Sequence, residues 1–338
     1  MTEDAGRPLL VTGGAGFVGS ALVDALVADG HRVTVLDSLV NGRREHLAHL
    51  PAARCTLVVG DVRDEALAAA LLREHRTVFH LACLGVRHSL HAPVETHEVN
   101  ATATLAWTRL ALAHGCGRFV HVSSSEVYGS ARRAPIDEDH PTSPTTVYGA
   151  SKLAGEAYAL AAHRTHGLPV AVLRPFNAFG PRCHHEGDAG EAIPRFVLQA
   201  MAGASMTVFG DGTQTRDFTF VADTARGIAR AAAAPSAVGR VLNLASGREI
   251  AIGALARRIA ARLGVEPRID ASPARPGDVA RLIGDAGRAR EALGWTPRTT
   301  LDDGLDALIA WYRAQGTDPE AALRRMPARN WAGDGGPA

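Results

Sequence analysis

Lysine is almost absent from this chain of 338 residues. Of its 36 Lys and Arg side chains, only Lys152 carries an amine, and all the others are guanidinium groups. The formal net charge is +1, so the composition provides no strong field that would attract nucleic acid or an anionic membrane. The arginine excess is therefore no sign of nucleic-acid binding, and the one position that keeps an amine becomes a candidate for specific chemistry.

Cysteine and long apolar runs are also scarce. Cys55, Cys83, Cys116 and Cys183 show no CxxC spacing and fit a reducing compartment. No apolar run has the length of a membrane span, and the N-terminal MTEDAGRPLL lacks the basic and apolar regions of a signal peptide. These absences predict a cytoplasmic protein that binds neither membrane nor nucleic acid.

Apolar runs alternate with segments of helical periodicity through the first two-thirds of the chain. PLLVTGG, HRVTVLD, TVFHLAC and RFVHVSS read as buried strands, and amphipathic helices separate them. This order predicts an α/β fold: a Rossmann-type doubly wound parallel sheet with helices on both faces.

The alternation of apolar strands and helical segments ends after Phe179, which predicts a second, smaller unit. We expect the dinucleotide domain in residues 1–178, with 212–245 returning to it. Residues 179–211 and 246–318 would form an interleaved C-terminal substrate-binding lobe, and 319–338 a weakly ordered tail. MTVFGDGTQTRDFTF reads as two short strands across a turn.

A glycine-rich loop, LLVTGGAGFVGSAL, lies between the first predicted strand and helix. It reads as Gly14-x-Gly16-x-x-Gly19 or as Gly13-x-x-Gly16-x-x-Gly19. Glycines let the backbone turn tightly and approach a pyrophosphate, which then lies at the helix N-terminus. The motif alone is weak, but its strand-to-helix context predicts a dinucleotide site and not merely a capped turn.

Two aspartates at strand ends bear on which dinucleotide binds. Asp37 ends the second strand, where a carboxylate accepts hydrogen bonds from ribose hydroxyls and repels a 2′-phosphate. This favours NAD over NADP, although Arg43 and Arg44 follow closely and could serve a phosphate. Asp61 ends the third strand, where its carboxylate could meet the adenine amine.

Tyr148 stands four residues before the single lysine, at a predicted helix start, so the two side chains share one face. A nearby ammonium stabilises a phenolate, so we expect Lys152 to lower the pKa of Tyr148 from its ordinary value of about 10. Tyr148 would then serve as a base toward a sugar hydroxyl. The alternative is a surface tyrosine beside a solvated lysine, which the glycine-rich loop disfavours.

Six motifs together resemble one family: TGGAGFVGS, HLAC, HVSSSEVYGS, YGASK, RPFNAFGPR and GDGTQTRDF. Over residues 8–315 the chain resembles an extended short-chain dehydrogenase/reductase of the nucleotide-sugar epimerase and dehydratase group. The resemblance implies bound NAD, a nucleotide-diphosphate sugar as substrate, and transient oxidation at C4 of the hexose. It also implies a homodimer, formed by helices near 101–114 and 149–166.

The resemblance also assigns site residues, motif by motif. Ser124 would hydrogen-bond the C4 oxygen beside Tyr148, unless it merely caps a turn. Asn100 would be the family's active-site asparagine, unless it caps the helix that follows. Cofactor contacts would come from Gly13, Gly16, Phe17, Val18, Gly19, Asp37, Asp61, Val62, Leu81, Ala82, Asn100, Tyr148 and Lys152. Substrate contacts would come from Ser125, Asn177, Arg216, Arg275 and Asp278.

Glu126 bears on the choice of reaction, since a 4-epimerase needs no acid or base beyond the tyrosine. Dehydratases of this group carry such a glutamate as the base for the C5 proton, and uronate decarboxylases carry one too. Ser125 departs from the dTDP-glucose type of dehydratase, which has an aspartate acid there. We favour a dehydratase, then a 4-epimerase, then a uronate decarboxylase; a non-catalytic NAD-binding regulator is the rival of a different class.

The loop CHHEGDAGE gathers His184, His185, Glu186, Asp188 and Glu191 where the family lines its sugar pocket. The spacing is not that of a metal site, so we expect no metal. Contact with sugar or phosphate is the alternative to a solvated loop.

Overall fold

The computed structural model describes residues 7–187, 189–275 and 277–327. Thirteen strands occur in these ranges: β1 (Leu9–Thr12), β2 (Val33–Asp37), β3 (Cys55–Val59), β4 (Thr77–His80), β5 (Arg118–Val122), β6 (Val170–Pro175), β7 (Asn177–Phe179), β8 (Met206–Phe209), β9 (Thr215–Phe220), β10 (Val241–Leu244), β11 (Glu249–Ala251), β12 (Ile269–Ser272) and β13 (Arg281–Leu282).

Twelve α-helices occur in the same ranges: α1 (Phe17–Ala28), α2 (Glu65–Glu74), α3 (His88–His91), α4 (Pro93–His97), α5 (Ala103–Ala113), α6 (Val147–His166), α7 (Ala192–Met201), α8 (Val221–Ala233), α9 (Ile252–Leu263), α10 (Gly287–Leu293), α11 (Leu301–Ala314) and α12 (Pro319–Arg324). None of them combines the length and apolar content that crossing a bilayer requires.

Seven strands form the main sheet in the order β10-β6-β5-β4-β1-β2-β3, with every neighbouring pair parallel. Apolar side chains cover both faces of this sheet, because helices pack on each. One face carries α1 and α8, and the other carries α2, α5 and α6. The expected Rossmann-type doubly wound parallel sheet is therefore confirmed.

The smaller lobe is built from short strands that pair at long range. A four-stranded sheet joins β7, β11 and β13 to β9, and a separate two-stranded sheet joins β12 to β8. Helices α7, α9, α11 and α12 enclose a second apolar core beside these strands. This lobe covers the carboxyl ends of the main strands, where parallel sheets bind their ligands.

Three details differ from the sequence-based expectation. The strands β8 and β9 exist, but they pair with β12 and with β7, β11 and β13 instead of with each other. Because β9 belongs to the smaller lobe, only α8 and β10 return to the main sheet from the segment 212–245. Residues 319–324 form α12, with Ala322 buried, whereas the rest of the expected tail beyond 327 lies outside the described residues.

Candidate active site

A cavity of about 480 Å³ lies between the carboxyl ends of the main strands and the smaller lobe. Every residue that the sequence assigned to catalysis, cofactor or substrate lines this cavity, except Asn100. The topology thus brings together side chains from the first 20 residues and from the region near 278. Apart from Asn100, the residues expected to contact the dinucleotide and those expected to contact the sugar therefore line one cavity.

The glycine-rich loop forms a cradle that has no room for side chains. Gly13 has a φ of +71°, and a Cβ there would lie 2.8 Å from backbone atoms of Ala82. A Cβ on Gly19 would lie 2.0 Å from the Gly13 carbonyl oxygen. Both positions therefore require glycine. The backbone that follows enters α1 with Gly16 at its N-cap, which leaves main-chain N–H groups available to a pyrophosphate.

Two aspartates stand where the sequence placed them, at the ends of β2 and β3. Asp37 is buried, and its carboxylate oxygens accept hydrogen bonds from the main-chain N–H of Ala15, at 2.9 Å, and of Leu39, at 2.8 Å. The Asp61 carboxylate lies 2.6 Å from Arg63 Nη2, and this hydrogen bond lowers the pKa of Asp61. Asp37 is thus held rigidly at the cavity wall, whereas Asp61 is engaged by a cation.

A close backbone approach brings Tyr148 beside Ser124. The N-cap of α6 is Thr146, whose side chain accepts a hydrogen bond from the Gly149 N–H. A Cβ on Gly149 would lie 2.7 Å from the Glu126 carbonyl oxygen, so only glycine allows α6 to pack this tightly on the turn 125–127. The Ser124 side chain hydrogen-bonds Tyr148 and also accepts from the Glu126 N–H, at 3.2 Å. Ser124 therefore caps a turn and contacts the candidate base.

The expected direction of the Tyr148 pKa is wrong for this structure. Burial raises the pKa of Tyr148 above its ordinary value, and the nearby carboxyls of Glu126 and Glu191 raise it further. The Lys152 side chain is 2% exposed, and burial lowers its pKa although Cys83 and Glu156 oppose the change. Sequence spacing correctly puts the two groups on one helix, but it contains no information about desolvation or about carboxyls from other segments.

Asn100 lies behind the cavity wall. It lies in a π-helical turn (Glu98–Thr102). The alternative role considered for Asn100, capping the helix that follows, is therefore wrong, because Thr102 is the N-cap of α5. Its Oδ1 accepts from the Leu84 N–H at 2.9 Å, and its Nδ2 donates to Leu84 O at 3.0 Å and to Ser151 Oγ at 3.1 Å. Asn100 therefore ties the segment after β4 to α6 instead of lining the cavity.

Two carboxyls, those of Glu126 and Glu191, line the cavity together with Tyr148. Burial raises the pKa of Glu126; Asp278 adds to the rise, while Arg216, Arg87 and Arg275 oppose it. Glu191 stands at the N-cap of α7, and burial raises its pKa to about 7, with Arg87 opposing the change. Both charges act on Tyr148, so the three side chains form one electrostatic unit.

Arginines also line the cavity, among them Arg195, Arg216 and Arg275. Arg216 is buried and pairs with Asp278, and the Arg275 guanidinium lies 5.3 Å from the centre of the Phe209 ring. Arg195, which the sequence analysis missed, is 8% exposed and donates from Nη2 to Pro327 O at 3.0 Å. The feature that could have identified Arg195 is an arginine inside α7, a helix that is buried over most of its length. Three guanidinium groups here suit a diphosphate.

The histidine loop divides between the cavity and the smaller lobe. His184 lines the cavity, and burial lowers its pKa to about 4, so the ring is neutral near pH 7. His185 packs against Tyr312, with ring centres 5.9 Å apart. Asp188 lies outside the described residues. Among the residues that are described, no group of three or more His, Cys, Asp or Glu side chains is arranged to hold a metal ion.

Comparison with known proteins resolves the family. The family model for GDP-mannose 4,6 dehydratase matches residues 10–308. The chain belongs to the extended short-chain dehydrogenase/reductase family of nucleotide-sugar epimerases and dehydratases. Like other members of this family, it is an NAD-dependent enzyme.

Curated relatives carry different activities at similar distances. The chain is 37% identical to a dTDP-glucose 4,6-dehydratase of Actinoplanes sp. and 36% identical to a UDP-glucose 4-epimerase of Mycolicibacterium smegmatis. Each alignment covers 90% of this chain and 98% of the relative. Among solved structures, DesIV, a dTDP-glucose 4,6-dehydratase from Streptomyces venezuelae with NAD and TYD bound, is 35% identical with a TM-score of 0.86, covering 91% of this chain and 97% of that one. Family membership therefore fixes the cofactor and substrate class, but not the reaction.

The residues present fit NAD. The side-chain-free cradle at Gly13 and Gly19 would receive the pyrophosphate, Asp37 would accept the ribose hydroxyls, and Lys152 would donate to the second ribose. When bound, NAD would supply a hydride acceptor and a positive charge near the buried groups. Tyr148 lines the same cavity, and its side chain is hydrogen-bonded to that of Ser124.

Proposed function

We propose that this enzyme is a nucleotide-sugar dehydratase in which Glu126 removes the C5 proton. The observation that carries the proposal is the position of the Glu126 carboxyl: it lines the same cavity as Tyr148 and its charge acts on the phenol. Transient oxidation at C4 acidifies the C5 proton, and a partly buried carboxylate with a raised pKa is a stronger base than a solvated one.

We propose further that Glu191 supplies the proton for water that departs from C6. Ser125 stands where an ionisable acid would be expected, and a hydroxyl is a poor proton donor to a leaving group. Glu191 lines the cavity and, with a pKa of about 7, is about half protonated at neutral pH. Glu126 would gain the C5 proton, the C6–O bond would break as the C5–C6 double bond forms, and Glu191 would protonate the departing oxygen to give water.

A 4-epimerase is the second candidate, and Ser125 is the observation that favours it. With no carboxyl at position 125, the site lacks the acid of the dTDP-glucose type of dehydratase. In that reaction Glu126 and Glu191 would only contact sugar hydroxyls. Ionising two carboxyls with raised pKa in one cavity costs free energy. Such an arrangement favours the dehydratase, because only that reaction uses both groups for proton transfer.

The substrate would enter with its diphosphate against Arg216, Arg275 and Arg195. We propose that the enzyme works as a cytoplasmic homodimer through α5 and α6. Leu105 on α5 is 47% exposed, and all four cysteines are free thiols, which suits a reducing compartment. Size-exclusion chromatography with light scattering tests the dimer, and Leu105→Glu should shift it toward monomer.

Incubation of purified enzyme with UDP-, dTDP- and GDP-hexoses, including N-acetyl and uronate forms, tests the reaction. A product lighter by one water supports the dehydratase. A product of unchanged mass and altered retention means epimerisation, and loss of carbon dioxide from a uronate means decarboxylation; either result overturns the proposal. No turnover with any of these nucleotide sugars would support the regulator instead.

A further inference from the structure

A segment of the smaller lobe crosses onto the dinucleotide domain between β7 and α7. We call residues 182–187 the strap. Arg182 Nη2 lies 2.7 Å from Asp24 Oδ2 on α1, and the His184 ring meets the edge of the Phe17 ring at 6.4 Å between centres. Glu186 Oε2 lies 2.7 Å from Arg43 Nη2. The strap therefore places Glu186 against the loop that follows β2.

Glu186 stays ionised in this position. Its second oxygen, Oε1, lies 2.9 Å from Arg325 Nε, just beyond α12, and 3.3 Å from His185 Nε2. Burial opposes ionisation, but Arg43, His185 and Arg325 outweigh it and lower the pKa of Glu186. A carboxylate between two guanidinium groups is thus a permanent negative charge next to Arg43.

Arg43 belongs to the loop that surrounds the cofactor-selecting carboxylate. Its N–H donates to Ala15 O at 3.0 Å, and the Ala15 N–H donates to Asp37 Oδ2 at 2.9 Å. The preceding residue, Gly42, packs on Asp37 so closely that a Cβ would lie 2.5 Å from its Oδ1. A guanidinium on this loop is the group that accommodates a ribose 2′-phosphate in NADP-dependent relatives of the fold.

We propose that Glu186 is a specificity-determining residue for the dinucleotide. By holding the Arg43 guanidinium on the strap, it keeps that cation from serving a 2′-phosphate. Specificity for NAD is then shared between two lobes: Asp37 acts directly and Glu186 acts through Arg43. The inference concerns cofactor choice alone and is independent of which sugar reaction the enzyme catalyses.

The test measures binding of NAD and NADP to cofactor-stripped full-length enzyme by isothermal titration calorimetry at low salt. In Glu186→Gln, Arg43 loses its charged partner, and we expect the affinity for NADP relative to NAD to rise about three- to fivefold, since the pair is partly exposed. The double variant Glu186→Gln with Arg43→Gln should lose that gain. Arg325→Gln is the matched control, because it leaves the Arg43–Glu186 pair in place, and it should keep the wild-type ratio.

Two results would overturn the proposal. One is an unchanged NADP-to-NAD ratio in Glu186→Gln with NAD affinity preserved. The other is a gain that persists without Arg43, since it would mean that Glu186 acts only through its own charge. Thermal melting of each variant with NAD separates loss of folding from a change in specificity.

Discussion

The guanidinium of Arg174 lies against both carboxylate oxygens of Glu156, with Nη2 2.6 Å from Oε2 and Nε 2.9 Å from Oε1. Both side chains are almost fully buried, and Ser123 donates a short hydrogen bond to the same carboxylate. Glu156 lies four residues beyond Lys152 on α6, and Ser123 directly precedes Ser124. The ion pair therefore joins α6 to β6, and the Ser123 hydrogen bond joins the same carboxylate to the end of β5. We infer that Arg174 and Glu156 position Lys152 and Ser124.

Arg174→Met should destabilise the fold strongly, because it leaves the Glu156 charge buried without its partner. We expect a loss of about 3–5 kcal/mol in the free energy of unfolding, measured by urea denaturation. The double variant Arg174→Met with Glu156→Gln should recover much of that loss, since no uncompensated charge remains. Equal stability of the single and double variants would show that packing, and not charge, carries the effect.

Glu126→Gln should stop water loss while C4 oxidation continues. The amide cannot accept the C5 proton, so dehydration should fall by about 10²-fold or more, and the reduced cofactor should accumulate at 340 nm. Deuterium uptake at C5 in D₂O should disappear together with the dehydrated product. Glu291→Gln, an exposed carboxylate on α10, is the control and should match wild type. Retained turnover in Glu126→Gln would assign Glu126 to substrate contact.

Glu191→Gln should be rescued by a leaving group that needs no proton. With the hexose substrate, elimination should drop sharply, whereas a 6-deoxy-6-fluoro analogue, which loses fluoride, should react at a rate close to wild type. For the natural substrate the wild-type rate should fall as pH rises through about 7, because Glu191 loses its proton there. Glu191 interacts electrostatically with four ionisable side chains: Arg87, Tyr148, Cys183 and Tyr312. Equal losses with both substrates would contradict an acid role.

Glu191 should also make stability depend on pH. Its pKa rises from 4.5 to about 7 on folding, so the folded state holds the proton more tightly than the unfolded state. The stabilisation is complete below about pH 4.5 and is lost as pH rises through 7, by at most about 3 kcal/mol. Glu191→Gln should therefore have a higher Tm than wild type at pH 8 and a similar Tm at pH 4.5. An identical difference at both pH values would exclude this linkage.

The sequence was sufficient where a local pattern decides the structure. Buried strands alternating with helices identified the main sheet, and the glycine-rich loop identified the cradle, since both follow from hydrophobic period and from backbone sterics. The pairing partners of β8 and β9 could not be predicted from a local pattern of this kind. Their alternation predicts strands, but the partner of β8 is β12, more than sixty residues further along the chain.

Parts of the site were also beyond sequence reasoning. The pKa of Tyr148 depends on desolvation and on Glu191, a residue 43 positions further along the chain that the tertiary fold brings to the cavity. The Arg43–Glu186 pair joins residues 143 positions apart, and neither belongs to a motif. Asn100 matched its motif, yet its hydrogen bonds to Leu84 and Ser151 place it one layer behind the cavity.

The single lysine has a practical consequence for following this protein in solution. A protease that cuts only after lysine has one site in the whole chain, within α6, where the Lys152 side chain is 2% exposed. Digestion can therefore yield just two fragments, 1–152 and 153–338, and only when the catalytic helix unwinds. The rate of cleavage after Lys152 therefore measures how often this part of the molecule opens, and the measurement needs no label.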